Sequence, residues 1–270
     1  IGLARTGFEP YAKSDGWLNR LVALMAEETR TTPPRALALA PTMPLALRGA
    51  APASSYAPSA LPEASEDFLA RVGMLYQGDD QLSGLWDRAL QTQAMASDDG
   101  LKNLRDARAT GELAASLMRG PDGARIAMVE SGGWDSHANQ QGAFRRNARQ
   151  LDAMLGAYRE AMGDAWASTM VLVITEFGRT VRFNGTNGTD HGTASAALVL
   201  GGSIRGGRVI ADWPGLGASD LYEGRDLRPT IALEHVVTGA LSEHMGLDPN
   251  RALAKLFPGR TGSPISGIAA

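Results

Sequence analysis

The chain has four histidines among its 270 residues, and two of them stand beside aspartates. Asp135 and His137 lie two positions apart in ESGGWDSHANQ, and Asp190 directly precedes His191 in NGTDHG. In an extended segment, positions i and i+2 point to the same side, so Asp135 and His137 would present a carboxylate and an imidazole together. Gly132 and Gly133, just before them, allow the backbone to turn sharply. A carboxylate paired with an imidazole suits Zn²⁺ or a similar divalent ion. The plainer reading makes Asp135 the cap of the following helix and His137 a solvated residue of its first turn. A turn can bring the adjacent side chains of Asp190 and His191 to one point, whereas the plainer reading is an Asp-containing turn beside an incidental histidine. Glu176 and Arg179, in TEFGR, close the most apolar stretch of the chain, where they form either an ion pair or part of a site. His235 and His244 belong to a helical C-terminal segment and are left outside the site, His244 in a last turn where the helix dipole favours a cation.

The elements that must position these groups can be read from periodicity. Residues 16–30 (GWLNRLVALMAEETR) carry apolar positions at helical spacing, and ALALAPTMPLALRG predicts short strands around Pro41 and Pro44. The Ala-, Ser- and Pro-rich stretch at 50–65 reads as a mobile loop. Helices are expected over 65–96 and 100–119, the second closed by Gly120 and Pro121. RIAMVES (125–131) predicts a strand, 141–162 an amphipathic helix, STMVLVITEFG (168–178) the strongest strand, and TASAALVLGG (193–202) another. IRGGRVIADWPGL reads as a hairpin or turn, and residues 228–246 as a helix with Pro229 near its start. Continuous apolar strands alternating with helices predict an α/β fold, a mixed and mostly parallel sheet sandwiched by helices. In such folds chemistry gathers just past the carboxyl ends of strands. The three polar groupings, Asp135 with His137, Glu176 with Arg179, and Asp190 with His191, all fall at such ends.

Composition narrows the classes. Net charge is −3, with acidic and basic residues interspersed, and aromatics make up 6%. No basic stripe or stacking platform for nucleic acid is present, and no polybasic run suggests an anionic membrane. Cysteine is absent, which excludes disulfides, thiolate ligands and a cysteine nucleophile. No apolar run reaches the roughly 18 residues of a membrane span. G-x-S-x-G, the phosphate-binding P-loop, the dinucleotide fingerprint and H-E-x-x-H are all missing. Ser131 has only its place at a strand end to suggest a serine nucleophile. The opening from Ile1 reads like the middle of a larger unit, so a preceding segment is expected.

The run from 125 to 202, with SGGWDSHANQ, a helix, and then VLVITEFGRTVRFNGTNGTDHGTASAALVLGGSIRGG, resembles the bacterial family called domain of unknown function 1501. GRDLRPT near residue 224 and the opening GWLNRL are similar to that family too. The family resembles in turn the alkaline phosphatase-like superfamily, which includes sulfatases and cofactor-independent phosphoglycerate mutases. That resemblance implies one α/β domain over 1–270 with metal sites. It puts Asp135, His137 and His191 at the ligand positions of one site. Glu176 then takes the place of the aspartate in an Asp-His pair, with Phe177 where the histidine would be. In an alternative register, Asp190 and His191 are themselves that pair. The resemblance also implies an N-terminal strand, carrying an aspartate ligand and the nucleophile, ahead of Ile1. RTGF (5–8) stands where relatives read Arg-Ser-His-Phe.

The implied activity is metal-dependent hydrolysis of a phosphate or sulfate ester, with a divalent ion, zinc first, as cofactor and a small anionic ester as substrate. The ion would polarise a phosphoryl or sulfuryl oxygen. Arg179 would neutralise charge on the transferring group, while Asn139 and the backbone amides of GTNGT would donate to an oxyanion. The rival reading is a non-catalytic binding or structural protein that keeps the fold and one ion. Family habit implies export to the periplasm.

Overall fold

The computed structural model describes residues 15–30, 32–59, 64–95 and 104–269. It is an α/β structure in which the first strand, β1 (Ala36–Leu39), is buried on both sides. Its ALAL sequence has no polar position to offer to water, as expected of a strand covered on both faces. Parallel neighbours flank it. β2 (Ser54–Tyr56) pairs Leu37 with Ser54, and β3 (Ile126–Val129) pairs Ala36 with Ile126, giving the order β2-β1-β3.

Alternation along β1 sends side chains to two cores. Ala36 and Ala38 face a layer built from α1 (Trp17–Thr29), α6 (Leu233–Met245) and α7 (Pro249–Leu256), where Leu21, Leu24, Val237, Leu256 and Phe257 are buried. Trp17 stacks on Phe257 there, ring centroids 6.0 Å apart. Leu37 and Leu39 face the opposite layer, α4 (Ala107–Met118) against α5 (Gln140–Met162), with Leu113, Leu117, Tyr158 and Met162. The backbone of Gly111 on α4 runs so close to the Met154 carbonyl on α5 that a Cβ would overlap it.

Local chemistry sets several boundaries. The side chains of Ser65, Asp106 and Asp248 accept from the backbone amides of Phe68, Ala109 and Arg251, capping α2 (Glu66–Tyr76), α4 and α7. Gly246 ends α6 in the left-handed conformation at φ 67°. The helix expected over 65–96 is broken at Gly78 (φ 97°), which separates α2 from α3 (Asp80–Met95). The stretch expected to be a mobile loop supplies β2, because its Ser54-Ser-Tyr56 segment finds an open edge of β1; residues 60–63 lie outside the described set. Pro229 sits before α6 rather than at its start, and residues 205–217 are irregular, with bends and no hairpin.

The remaining strands form small antiparallel pairs instead of extending the parallel sheet: β4 (Met170–Val173) with β7 (Leu198–Gly201), and β5 (Gly178–Arg179) with β6 (His191–Gly192). β4 nevertheless belongs to the same layer. Met170, Leu172 and Ile174 pack on the first core beside Met128 of β3, and Val171 packs on the second beside Val129. Among the described residues, no helix is long and apolar enough to cross a membrane.

Candidate metal centre

The site is assembled where the loop after β3 meets the β5–β6 pair. The two short strands place Arg179 opposite His191 and Gly178 opposite Gly192. They approach closely because both glycines face backbone: a Cβ on Gly178 would overlap the Ala194 carbonyl, and one on Gly192 the Arg179 carbonyl. From this ladder Arg179 reaches back, with Nη1 donating to the Thr189 carbonyl (2.9 Å) and Nη2 to the Trp134 carbonyl (2.7 Å) and to Asp135 Oδ1 (2.8 Å). One guanidinium thus ties the loop holding Asp135 to the strand holding His191.

A second tie joins the 183–191 loop to the start of α5. Asn184 Nδ2 and Thr186 Oγ1 both donate to the His137 carbonyl, at 2.9 and 2.6 Å. The amides of Asn139 and Gln140 donate to the carbonyls of Thr186 and Asn187, and the Thr189 hydroxyl bonds the Gln140 side-chain oxygen. Gly188 lies against His137 so tightly that a Cβ would overlap its backbone.

The result is convergence. Asp135 Oδ1 lies 3.0 Å from His137 Nε2 and 2.8 Å from His191 Nε2. One donor atom from each of the three side chains fits within 4.8 Å of the others, and all three residues are exposed. In a tetrahedral zinc site with bonds of 2.0–2.1 Å, neighbouring donors stand roughly 3.3 Å apart. The observed donor separations at Asp135 are a few tenths of an ångström shorter, a difference that small side-chain rotations would close. The donor set also fits in kind, with two imidazoles and a carboxylate.

Hydrogen bonding from His191, opposed by burial and helped further by Arg179, holds the Asp135 carboxyl below its ordinary range. Asp190 is lowered as well, first by the bond from His137 and then by the Asn184 amide. Both carboxylates therefore stay ionised and ready to accept. Phe177 stacks on His191 (centroids 4.6 Å apart, planes 13° apart), and the Arg179 guanidinium lies over the Phe177 ring, 4.8 Å from its centroid.

Asp135, His137 and His191, three of the expected ligand residues, come together. Asp190 touches the group from outside, through His137 Nδ1 at 3.1 Å. Glu176 is half-buried and not part of the three-donor group. The helix-cap reading of Asp135 gives way: the N-cap of α5 is Asn139, in the left-handed conformation at φ 45° with no side-chain cap bond. Arg179 is tied to three acceptors beside the site. The GTNGT amides expected to face an oxyanion are in part turned inward, since those of Thr186 and Gly188 donate to Asn184 Oδ1 and that of Asn187 to the Asn184 carbonyl. His244 bonds Ser203, His235 faces the Thr261 carbonyl, and Ser131 accepts from Trp134, all away from the three donors.

Sequence reasoning missed two residues. Asn184 looked like one more polar loop residue, although an Asx-type turn in FNGTNG was a signal for it. Arg225, exposed at the rim with Nη2 3.4 Å from the His191 carbonyl and Nε 2.8 Å from Asp226, lay inside the GRDLRPT segment without being singled out.

Comparison with curated proteins and with solved structures finds no match. A family model described as "Protein of unknown function (DUF1501)" matches residues 4–257, and the chain belongs to that family.

Proposed function

We propose that the chain is a metal-dependent hydrolase of phosphate or sulfate esters, with Asp135, His137 and His191 holding a divalent ion, zinc first. The observation that carries this reading is the convergence of those three donors within 4.8 Å on an exposed surface. A divalent ion held there supplies Lewis acidity to an oxygen of the bound ester. The chain's own residues hold and orient the centre. Asp135 offers an ionised carboxylate to the centre, and Arg179 holds that carboxylate in place. Phe177 fixes the plane of the His191 ring by stacking. Arg225, with Nη2 3.4 Å from the His191 carbonyl, is an exposed cation beside the centre, and a guanidinium fork matches phosphate and sulfate.

An alkaline phosphatase-like arrangement is part of the proposal. Its support is that β3 and β4 feed alternate side chains into the same two cores while no ladder joins them among the described residues.

A second reading, a binding protein that keeps one ion without catalysis, is favoured by Arg179. Its donors are committed to Asp135, Trp134 and Thr189 rather than turned to an incoming anion. The experiment that separates the two is hydrolysis of aryl phosphate and aryl sulfate esters by zinc-loaded protein, with His191→Ala as control. Turnover that disappears in the variant supports the hydrolase. Bound zinc without turnover of either ester supports the binding protein.

A further inference from the structure

We propose that Asp190 and Asn184 are positioning residues that hold His137 in its ligating pose, and that Asp190 is not itself a ligand. This rests on the reading of Asp135, His137 and His191 as an ion site.

The geometry of the imidazole separates the two roles. His137 Nε2 faces Asp135, whereas Nδ1 faces Asp190 Oδ1 at 3.1 Å. An ion bonded to Nε2 at the usual 2.0–2.1 Å would stand about 6 Å or more from that Asp190 oxygen, on the far side of the ring. Asp190 therefore accepts the Nδ1–H, which fixes the tautomer, orients the ring and leaves the Nε2 lone pair for the ion.

Asp190 is in turn well held. Its amide donates to Thr180 Oγ1 at 3.2 Å, and its carbonyl accepts from the Thr180 amide at 3.0 Å, with Thr180 buried. Its carboxylate accepts from Asn184 Nδ2 at 3.2 Å. The Asn184 amide has one sensible orientation. Its oxygen accepts from the Thr186 and Gly188 amides, both at 3.0 Å, while its nitrogen donates to Asp190 and to the His137 carbonyl. Turning the amide over would set its NH₂ against backbone donors. Asn184 thus couples the backbone of His137 to the carboxylate that orients its ring, and the glycine-rich loop acts as a clamp on one ligand.

The test is zinc affinity of the whole chain, measured by competition with a chromogenic chelator, for wild type, Asp190→Ala, Asp190→Asn and Asn184→Asp. Zinc-edge X-ray absorption on the loaded proteins counts nitrogen and oxygen donors. We expect Asp190→Ala to bind about 10- to 100-fold more weakly, the usual effect of losing such an outer partner. Asp190→Asn should recover most of that loss, because its carbonyl oxygen still accepts from Nδ1. Asn184→Asp should fall toward Asp190→Ala, since it cannot donate and sets a second negative charge beside Asp190. The donor set should stay the same in every loaded variant. Wild-type affinity in Asp190→Ala would overturn the proposal. So would an Asp190→Asn protein as weak as Asp190→Ala that also lacks one oxygen donor, the signature of a direct ligand. A wild-type chain that takes up no zinc would overturn the ion site itself, and this inference with it.

Discussion

Arg179 Nη2 lies 2.8 Å from Asp135 Oδ1, and the same guanidinium donates to the carbonyls of Trp134 and Thr189. The arginine therefore works as a strut between a loop and a two-residue strand pair. Its side chain is only 18% exposed, so its bonds to the two carbonyls are shielded from water, whereas the Asp135 partner is 53% exposed. Lysine carries one compact ammonium in place of a planar fork and cannot meet three acceptors set around a guanidinium. Arg179→Lys should lower stability by about 1–2 kcal/mol, in the range of charged hydrogen bonds discounted for partial exposure. Zinc affinity should fall with it. Denaturant titration and chelator competition on the same protein check both.

Two glycines make close approach possible, and each can be tested with one methyl group. A Cβ at Gly188 would overlap the His137 backbone, so Gly188→Ala should push the 183–191 loop away from α5 and weaken ion binding more than it weakens the fold. Gly156→Ala is the matched control, because a Cβ there meets nothing within 4 Å and helix propensity favours alanine. A thermal melt and a zinc titration of the two variants distinguish the local effect from a global one.

These contacts also mark how far the sequence could be read. The buried ALAL of β1 and the periodic faces of α1 and α5 were legible, because burial leaves its period in the residue types. Asp135 and His137 were legible as a pair because they stand two apart just beyond Gly132 and Gly133. Their meeting with His191 was not, since it depends on a strand pair of two residues each and on glycines whose missing side chains leave no periodic signal. Phe177 reads in sequence as the loss of a ligand, yet in the fold it is the surface on which His191 stacks. β2 was hidden in an Ala-, Ser- and Pro-rich stretch because pairing with the open edge of β1, not local propensity, makes it a strand. The separation of β3 from β4 had no local signal at all.

The acid limb of stability can be assigned in part to Glu243. Burial works against its charge, but the amides of Gly267, Ile268 and Ala269 donate to it at 2.5, 2.6 and 2.7 Å and bring its carboxyl below the ordinary 4.5. A carboxyl lowered by folding adds stability at pH above its unfolded value and loses it as pH falls through the folded one. Glu243→Gln should therefore destabilise the protein by about 1–2 kcal/mol near neutral pH, the scale of a few partly exposed charged hydrogen bonds. The difference from wild type should shrink as pH drops below about 4.5, the ordinary value from which this carboxyl is lowered. Urea melts of both proteins from pH 7 to pH 3 measure it.

The most direct measurement is the metal content of purified protein after zinc loading and desalting, by elemental analysis of wild type beside His191→Ala. The convergence of Asp135, His137 and His191 predicts about one equivalent of zinc in wild type and a large loss in the variant, because removing one of three donors leaves a carboxylate and a single imidazole. Wild type without zinc, or a variant that retains it fully, would contradict the site.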